Sequence, residues 1–394
     1  MAEDGAAISG GSNSVRHRPS FLLRAVVFLL AAGPVFAQTP PGAKDKPPAA
    51  PPTYEQLKAW CLEHDGPPDR VISSCNAIVS AAREPAAVMA RVHVGRGRAY
   101  LDKEDTTHAL EDLSAAIPLD PKWPDALWSR GFVRMAVDDL AGAMDDFDRA
   151  LRVDPKSVDA HYGRGMVYYA QKDYAKAIAP FDEALRLDPR RGGIYILRGR
   201  AYVEVKQFDR ALADLDLAIS AGIDGPGARY ARALAYVGKR QFDKALADLA
   251  EAVRVDPQAA DAYRLRGDIH GAQDKYAEAV QDYDKALALA SDDSAALNSR
   301  CRVRAITGQA EAALADCDAA IRAEPQQPAY LDSRGFAYLK LGRYDAAIAD
   351  YGAALTLAPT QATSLFGRGI AQHAKGDHEA GAADLTAARK ASAT

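Results

Sequence analysis

Residues Val158–Arg191 read VDAHYGRGMVYYAQKDYAKAIAPFDEALRLDPRR, and the spacing within this stretch decides the fold. Apolar and small residues recur at helical intervals in two runs, before and after the polar turn Gln171-Lys172-Asp173. Two amphipathic helices joined by a short turn satisfy that pattern. The second run stops at Asp188-Pro189, because proline cannot continue a helix and disfavours helix in the residue before it. With Val158 as position 1, Gly165 is position 8, Ala177 is 20, Phe181 is 24, Ala184 is 27 and Pro189 is 32.

Shifting the frame by 34 residues in either direction brings the pattern back. Position 8 holds Gly97, Gly131, Gly199, Ala233, Gly267, Cys301, Gly335 and Gly369 in the other frames. Position 27 is alanine throughout, from Ala116 to Ala388, and position 20 is alanine until Gly381 in the last frame. Position 24 is large or cysteine, as in Leu113, Phe147, Tyr283, Cys317 and Tyr351. Nine frames tile 90–394 without insertion. Small residues at 8 and 20 let two antiparallel helices approach, and the large residue at 24 fills the space between them. One hairpin cannot bury its apolar face alone, so neighbours must stack and share a core.

This arrangement resembles the tetratricopeptide repeat family, in its bacterial secreted or periplasmic form. The resemblance implies an all-α, right-handed superhelical solenoid of about ten helix-turn-helix hairpins, with the first helix of each repeat on the concave side. The expected organisation is a signal peptide at 1–37, a Pro/Ala-rich linker at 38–53, a degenerate hairpin at 54–89 and nine tandem repeats at 90–394. The first part has Arg16, Arg18 and Arg24, then an apolar run from Ala25 to Ala32 too short to span a bilayer. Val35-Phe36-Ala37 suits cleavage after Ala37, which predicts a periplasmic or secreted product with no membrane span after cleavage. The linker contains QTPPGAKDKPPAAPP, which cannot form a core. A net charge of −4 over 394 residues steers the chain to neither nucleic acid nor an anionic membrane.

Four cysteines form two local pairs. Cys301 and Cys317 occupy positions 8 and 24 of one repeat, and Cys61 and Cys75 sit across the first, degenerate turn. Within the repeat geometry both pairs join the first helix of a hairpin to the second, and in an oxidising compartment two disulfides are expected. Four buried thiols acting as small hydrophobes remain the alternative. No histidine accompanies a C-x-x-C spacing, so no metal is expected.

Position 7 is arginine in every frame, from Arg96 to Arg368, and position 23 is aspartate in all but one. The matched ladders predict arginine–carboxylate pairs between packed helices rather than a basic ligand track. Pro180 replaces the aspartate in the frame of Arg164, which must find another partner. Nucleophile elbows, zinc-protease helices and phosphate loops are absent from the sequence, so no catalytic residue and no cofactor are expected.

The expected function is a non-catalytic scaffold or adaptor of the cell envelope that binds a protein or peptide partner in its concave groove. Homo-oligomerisation is the alternative. Lysine and asparagine at positions 5 and 9, the family's carboxylate-binding set, do not occur together here. Instead Trp128, Phe132, Met135, Tyr162, Met166, Tyr169, Ile196, Tyr230 and Leu234 give the first half of the groove an apolar, aromatic lining. Such residues suit an extended peptide or an amphipathic helix. The competing reading is that the aromatics pack against the neighbouring first helix.

Overall fold

The computed structural model describes residues 51–223 and 225–392. The expected signal peptide, and the linker as far as residue 50, lie outside the described residues. Among the described residues there are twenty helices and no strands.

Two compact units divide the chain, one ending at Ala218 and the other beginning at Ile219. In the first, α1 (Tyr54–Leu62) pairs with α2 (Pro68–Ala81), and α3 (Ala86–Asp102) with α4 (Thr106–Leu119). Then come α5 (Pro124–Ala136) with α6 (Leu140–Val153), and α7 (Val158–Ala170) with α8 (Tyr174–Leu187). Next are α9 (Gly192–Glu204) and α10 (Phe208–Ser220), the latter running across the dividing point. The second unit holds α11 (Pro226–Gly238) with α12 (Phe242–Val255), and α13 (Ala260–Ala272) with α14 (Tyr276–Leu289). It continues with α15 (Ser294–Ile306) and α16 (Ala310–Ala323), α17 (Pro328–Lys340) and α18 (Tyr344–Leu357), then α19 (Ala362–Lys375) and α20 (His378–Ser392). We call the odd-numbered helices A and the even-numbered ones B.

Local chemistry explains the boundaries. The A–B turn places position 15 in the left-handed region in every frame, at Glu104, Asp138, Lys172, Lys206, Arg240, Asp274, Gly308, Gly342 and Gly376. Only the last three avoid the penalty that a Cβ brings there. Asp105, Asp139 and Asp173 then cap the B helices by accepting from the backbone N–H three residues on. Helix α8 runs unbroken through Pro180. Helix α3 begins at Ala86, behind Pro85 and ahead of the first repeat frame.

The repeated small and large residues build the core. Positions 20, 24 and 27 are buried in frame after frame, with Phe147 and Phe181 the largest fully enclosed side chains. Phe147 also explains a position that the 34-residue pattern does not flag. Its ring packs against Gly131 of its own repeat and against Gly163 at position 6 of the next, and a Cβ on either glycine would strike it. Tyr351 stands in the same relation to Gly335 and Gly367. At these two rings the flanking A helices therefore carry glycine, whereas Phe181 is followed by Leu197 at position 6 of the next frame.

The arginine ladder closes eight of the hairpins. Arg96–Asp112, Arg130–Asp146, Arg198–Asp214, Arg232–Asp248, Arg266–Asp282, Arg300–Asp316, Arg334–Asp350 and Arg368–Asp384 are all paired through Nε and Nη2. Several of these guanidiniums also reach back to position 25 of the preceding repeat, as Arg198 does to Asp182, Arg300 to Asp284 and Arg334 to Asp318. Arg164, deprived of its own aspartate by Pro180, lies 3.2 Å from Asp148 at that same preceding position.

The two cysteine pairs bring α1 to α2 and α15 to α16. The sulfurs of Cys61 and Cys75, and of Cys301 and Cys317, are within bonding distance, with Cα atoms 5.1 and 5.5 Å apart.

Candidate functional site

The A-helix face is organised by one recurring contact: position 9 of one repeat meets position 5 of the next. Arg98 lies 4.6 Å from the centre of the Trp128 ring, and Phe132 lies 5.8 Å from Tyr162. In the second unit Arg302 lies 3.4 Å from Asp332 in the same register. Whether this face is open therefore depends on the size of both partners.

In the first unit both partners are large, and the expected open strip is closed. Trp128 meets Phe132 edge-on, Phe132 meets Phe147 and Tyr162, and Tyr162 meets Phe181, all with ring centres 5.0 to 6.2 Å apart. Trp128, Phe132, Met135, Tyr162 and Met166 are buried, Tyr162 to 4% exposure. These five are interior packing, with Phe132 and Tyr162 set against each other and against the B-helix rings Phe147 and Phe181, which corrects the expectation that they line an open groove. The strip is continuous, as its spacing implied, but its members cover one another. The Tyr162 hydroxyl is enclosed without a hydrogen-bond partner, and burial pushes its pKa far above the usual phenol value. Tyr169 and Ile196 stay half-buried, Tyr169 edge-on to Tyr174. Tyr230 and Leu234 belong to the second unit and are also half-buried, packed on the cluster around Leu249 and Ile269.

The A-helix face of the second unit turns polar and then apolar. Arg264 lies within 3.5 Å of Asp261, Asp268 and Asp293, so its charge is spent internally. Asp268 accepts from Tyr283 Oη at 2.9 Å and Ser299 Oγ at 3.1 Å. Burial raises its pKa against the lowering effect of Arg264 and those hydrogen bonds. Asp332 is buried and accepts from Ser364 Oγ at 2.6 Å. Beyond it, Phe336 packs half-buried against the cluster that holds Cys301 and Cys317. Arg302 and Lys340 both stack on the Phe336 ring, at 5.7 and 5.5 Å from its centre.

Helix α19 ends this sequence of contacts with Phe366 at position 5 and Ile370 at position 9, which are 54% and 36% exposed. No further A helix among the described residues supplies a position 5 to cover Ile370. Sequence reasoning missed this pair by following aromatic density in the first half. The available signal was an apolar residue at position 9 of the last frame, the position that elsewhere meets position 5 of the next repeat.

Among the described residues, no group of three or more His, Cys, Asp or Glu side chains is arranged to hold a metal ion. No described helix is long and apolar enough to cross a membrane.

Known proteins place this geometry. A tetratricopeptide repeat family model matches residues 133–191, 230–294 and 270–328, and a second TPR repeat model matches 335–376. Together they cover about half of the chain. No curated protein matches it. Among solved structures, a tetratricopeptide repeat protein from Parabacteroides merdae is 19% identical, with 63% of this chain and 98% of that one covered and a TM-score of 0.51. It shares the fold. YrrB, described as a TPR protein with an unusual peptide-binding site, is 26% identical over 48% of this chain and 98% of its own, with a TM-score of 0.42. The APC/C hetero-tetramer Cut9–Hcn1 is 12% identical over 86% and 87%, with a TM-score of 0.48. From the in-register hairpins and the family-model matches together, the chain belongs to the tetratricopeptide repeat family.

Proposed function

We propose that this chain is a non-catalytic interaction scaffold of the cell envelope that holds a segment of a partner protein against the A-helix face of its repeats. Tetratricopeptide repeats are protein-interaction modules, and helix hairpins take up almost all of the described chain. The observation that carries the reading is the exposure of Phe366 and Ile370 on an A helix, where equivalent residues such as Tyr162 and Met166 are buried. Phe366 and Ile370 lie one helical turn apart, so they offer a partner one contiguous apolar patch rather than scattered side chains. Two features support export: the residues resembling a signal peptide at 1–37, and the cysteine pairs within bonding distance. Both pairs form disulfides in this reading.

The experiment is a comparison of partner capture by the wild-type chain and by Phe366→Ala, with melting temperature measured on both. Weaker capture at unchanged melting supports the reading, and equal capture by the two proteins contradicts it. Self-association through the same open helix is the second reading. Light scattering separates the two, since a scaffold for other proteins stays monomeric.

A further inference from the structure

We propose that Phe336, Phe366 and Ile370, rimmed by Arg302 and Lys340, seat a short partner segment in which an apolar side chain is flanked by carboxylates. This inference rests on the scaffold reading and names the chemistry of its partner.

Charge complementarity selects the flanks. Arg302 is 45% exposed on its side chain and meets Asp332 only at 3.4 Å, while Asp332 also accepts a shorter bond from Ser364. Lys340 stacks on Phe336, and no carboxylate pairs with it among the described residues. Lys340 thus holds its ammonium over the ring with no carboxylate partner of its own, while Arg302 shares its charge with Asp332 and keeps a partly exposed guanidinium beside the same ring. The other charges nearby do not reverse this sign. Lys375, on α19, is already tied to Asp345, and the carboxylates around Arg264 are engaged with it and with hydroxyl donors.

The geometry of the repeats selects the apolar centre. Position 9 normally receives a position 5 side chain from the next A helix, as Phe132 receives Tyr162. Ile370 has no such partner among the described residues, and beside it Phe366 stands in the register that faces Phe336. One apolar side chain entering between Phe366 and Ile370 restores the interior contact. The strip is too small for a second copy of the chain to hold by itself, because a stable dimer buries roughly 800 Å² on each partner. The chain's own residues 38–52 do not match it either, since they carry Lys44 and Lys46 against Asp45 alone.

The test is selection of a random-peptide phage library on the purified full-length protein, followed by fluorescence anisotropy on a labelled enriched peptide. Enrichment of leucine or phenylalanine flanked by aspartate or glutamate is expected. Phe366→Ala should weaken the labelled peptide by at least about tenfold. Lys340→Glu should also weaken it, and added salt should reduce wild-type binding. Ile370→Ser serves as a second variant, and melting curves check that all three fold. Enrichment of basic flanks, no enrichment, or binding unchanged by Phe366→Ala overturns the inference. So does a wild-type dimer that Phe366→Asp dissociates. If peptides are enriched but compete for Tyr169 or Tyr230 instead, the inference falls and the scaffold reading stands. If no peptide is enriched and no A-helix position crosslinks to a partner, both fall.

Discussion

Arg334 grips Asp350 with two hydrogen bonds, from Nε at 2.7 Å and Nη2 at 2.8 Å, while its Nη1 reaches Asp318 of the preceding repeat at 2.8 Å. One guanidinium thus ties α17 to α18 and also to α16. This is how a solenoid uses arginine: the planar fork spans a hairpin and the junction to its neighbour at once. Arg334→Ala leaves the mostly buried Asp350 without that fork, and should lower stability by about 2–3 kcal/mol. Arg334→Ala/Asp350→Ala should recover part of the loss, and urea unfolding of the two variants and the wild type checks both points. A single variant as stable as the wild type would show that the ladder is ornamental.

Gly163→Ala should destabilise the first unit even though alanine is the better helix former. A Cβ there strikes the Phe147 ring, and overpacking of this kind costs about 1–3 kcal/mol against roughly 1 kcal/mol of gained helix propensity. Combining it with Phe147→Leu should restore much of the melting temperature. Calorimetry on the two variants decides whether position 6 is set by the preceding repeat.

The repeat frame was legible because it rests on residue size at fixed intervals. Gly165, Ala177, Phe181 and Ala184 announce a helix pair without any knowledge of its neighbours. The Arg334–Asp350 type of pair was also legible, since both members recur at one interval. The A-helix face was not. Tyr162 and Phe366 occupy the same position 5 and are both aromatic, yet one is 4% and the other 54% exposed. Tyr162 is covered by the rings of Phe132 and Phe181, tertiary neighbours that the local pattern does not carry. Trp128→Ala and Tyr162→Ala are accordingly expected to cost stability first, contrary to the open-strip expectation.

Peptide mapping under non-reducing conditions should recover Cys61 linked to Cys75 and Cys301 linked to Cys317 from protein made in an oxidising compartment. Each linkage closes a short loop, at separations of 14 and 16 residues, worth about 3 kcal/mol in chain entropy. Reduction should therefore lower the melting temperature without abolishing helicity. Four alkylatable thiols in native protein would remove both the linkages and a support for export.

Acid should weaken the Arg96–Asp112 rung. Burial pushes the Asp112 carboxyl up, but hydrogen bonds from His93 and Arg96 outweigh it and hold the group below the usual carboxylate range. A carboxylate depressed in the folded state contributes its stability above the unfolded value of about 3.9, and loses it as pH falls through the folded value. Wild-type stability should therefore drop more than that of Asp112→Asn between pH 7 and strongly acidic pH. Parallel urea curves across that range would contradict the assignment.

The central claim is that partners dock on the A helices, and site-specific photocrosslinking tests it most directly. A photoreactive phenylalanine analogue would be placed at Phe366 or Tyr169 on A helices, and at Val255 or Leu357 on exposed parts of B helices. After irradiation of cells producing the full chain, the account predicts a discrete partner adduct from Phe366, a weaker one or none from Tyr169, and none from Val255 or Leu357. Adducts arising from the B-helix positions, with none from Phe366, would contradict it.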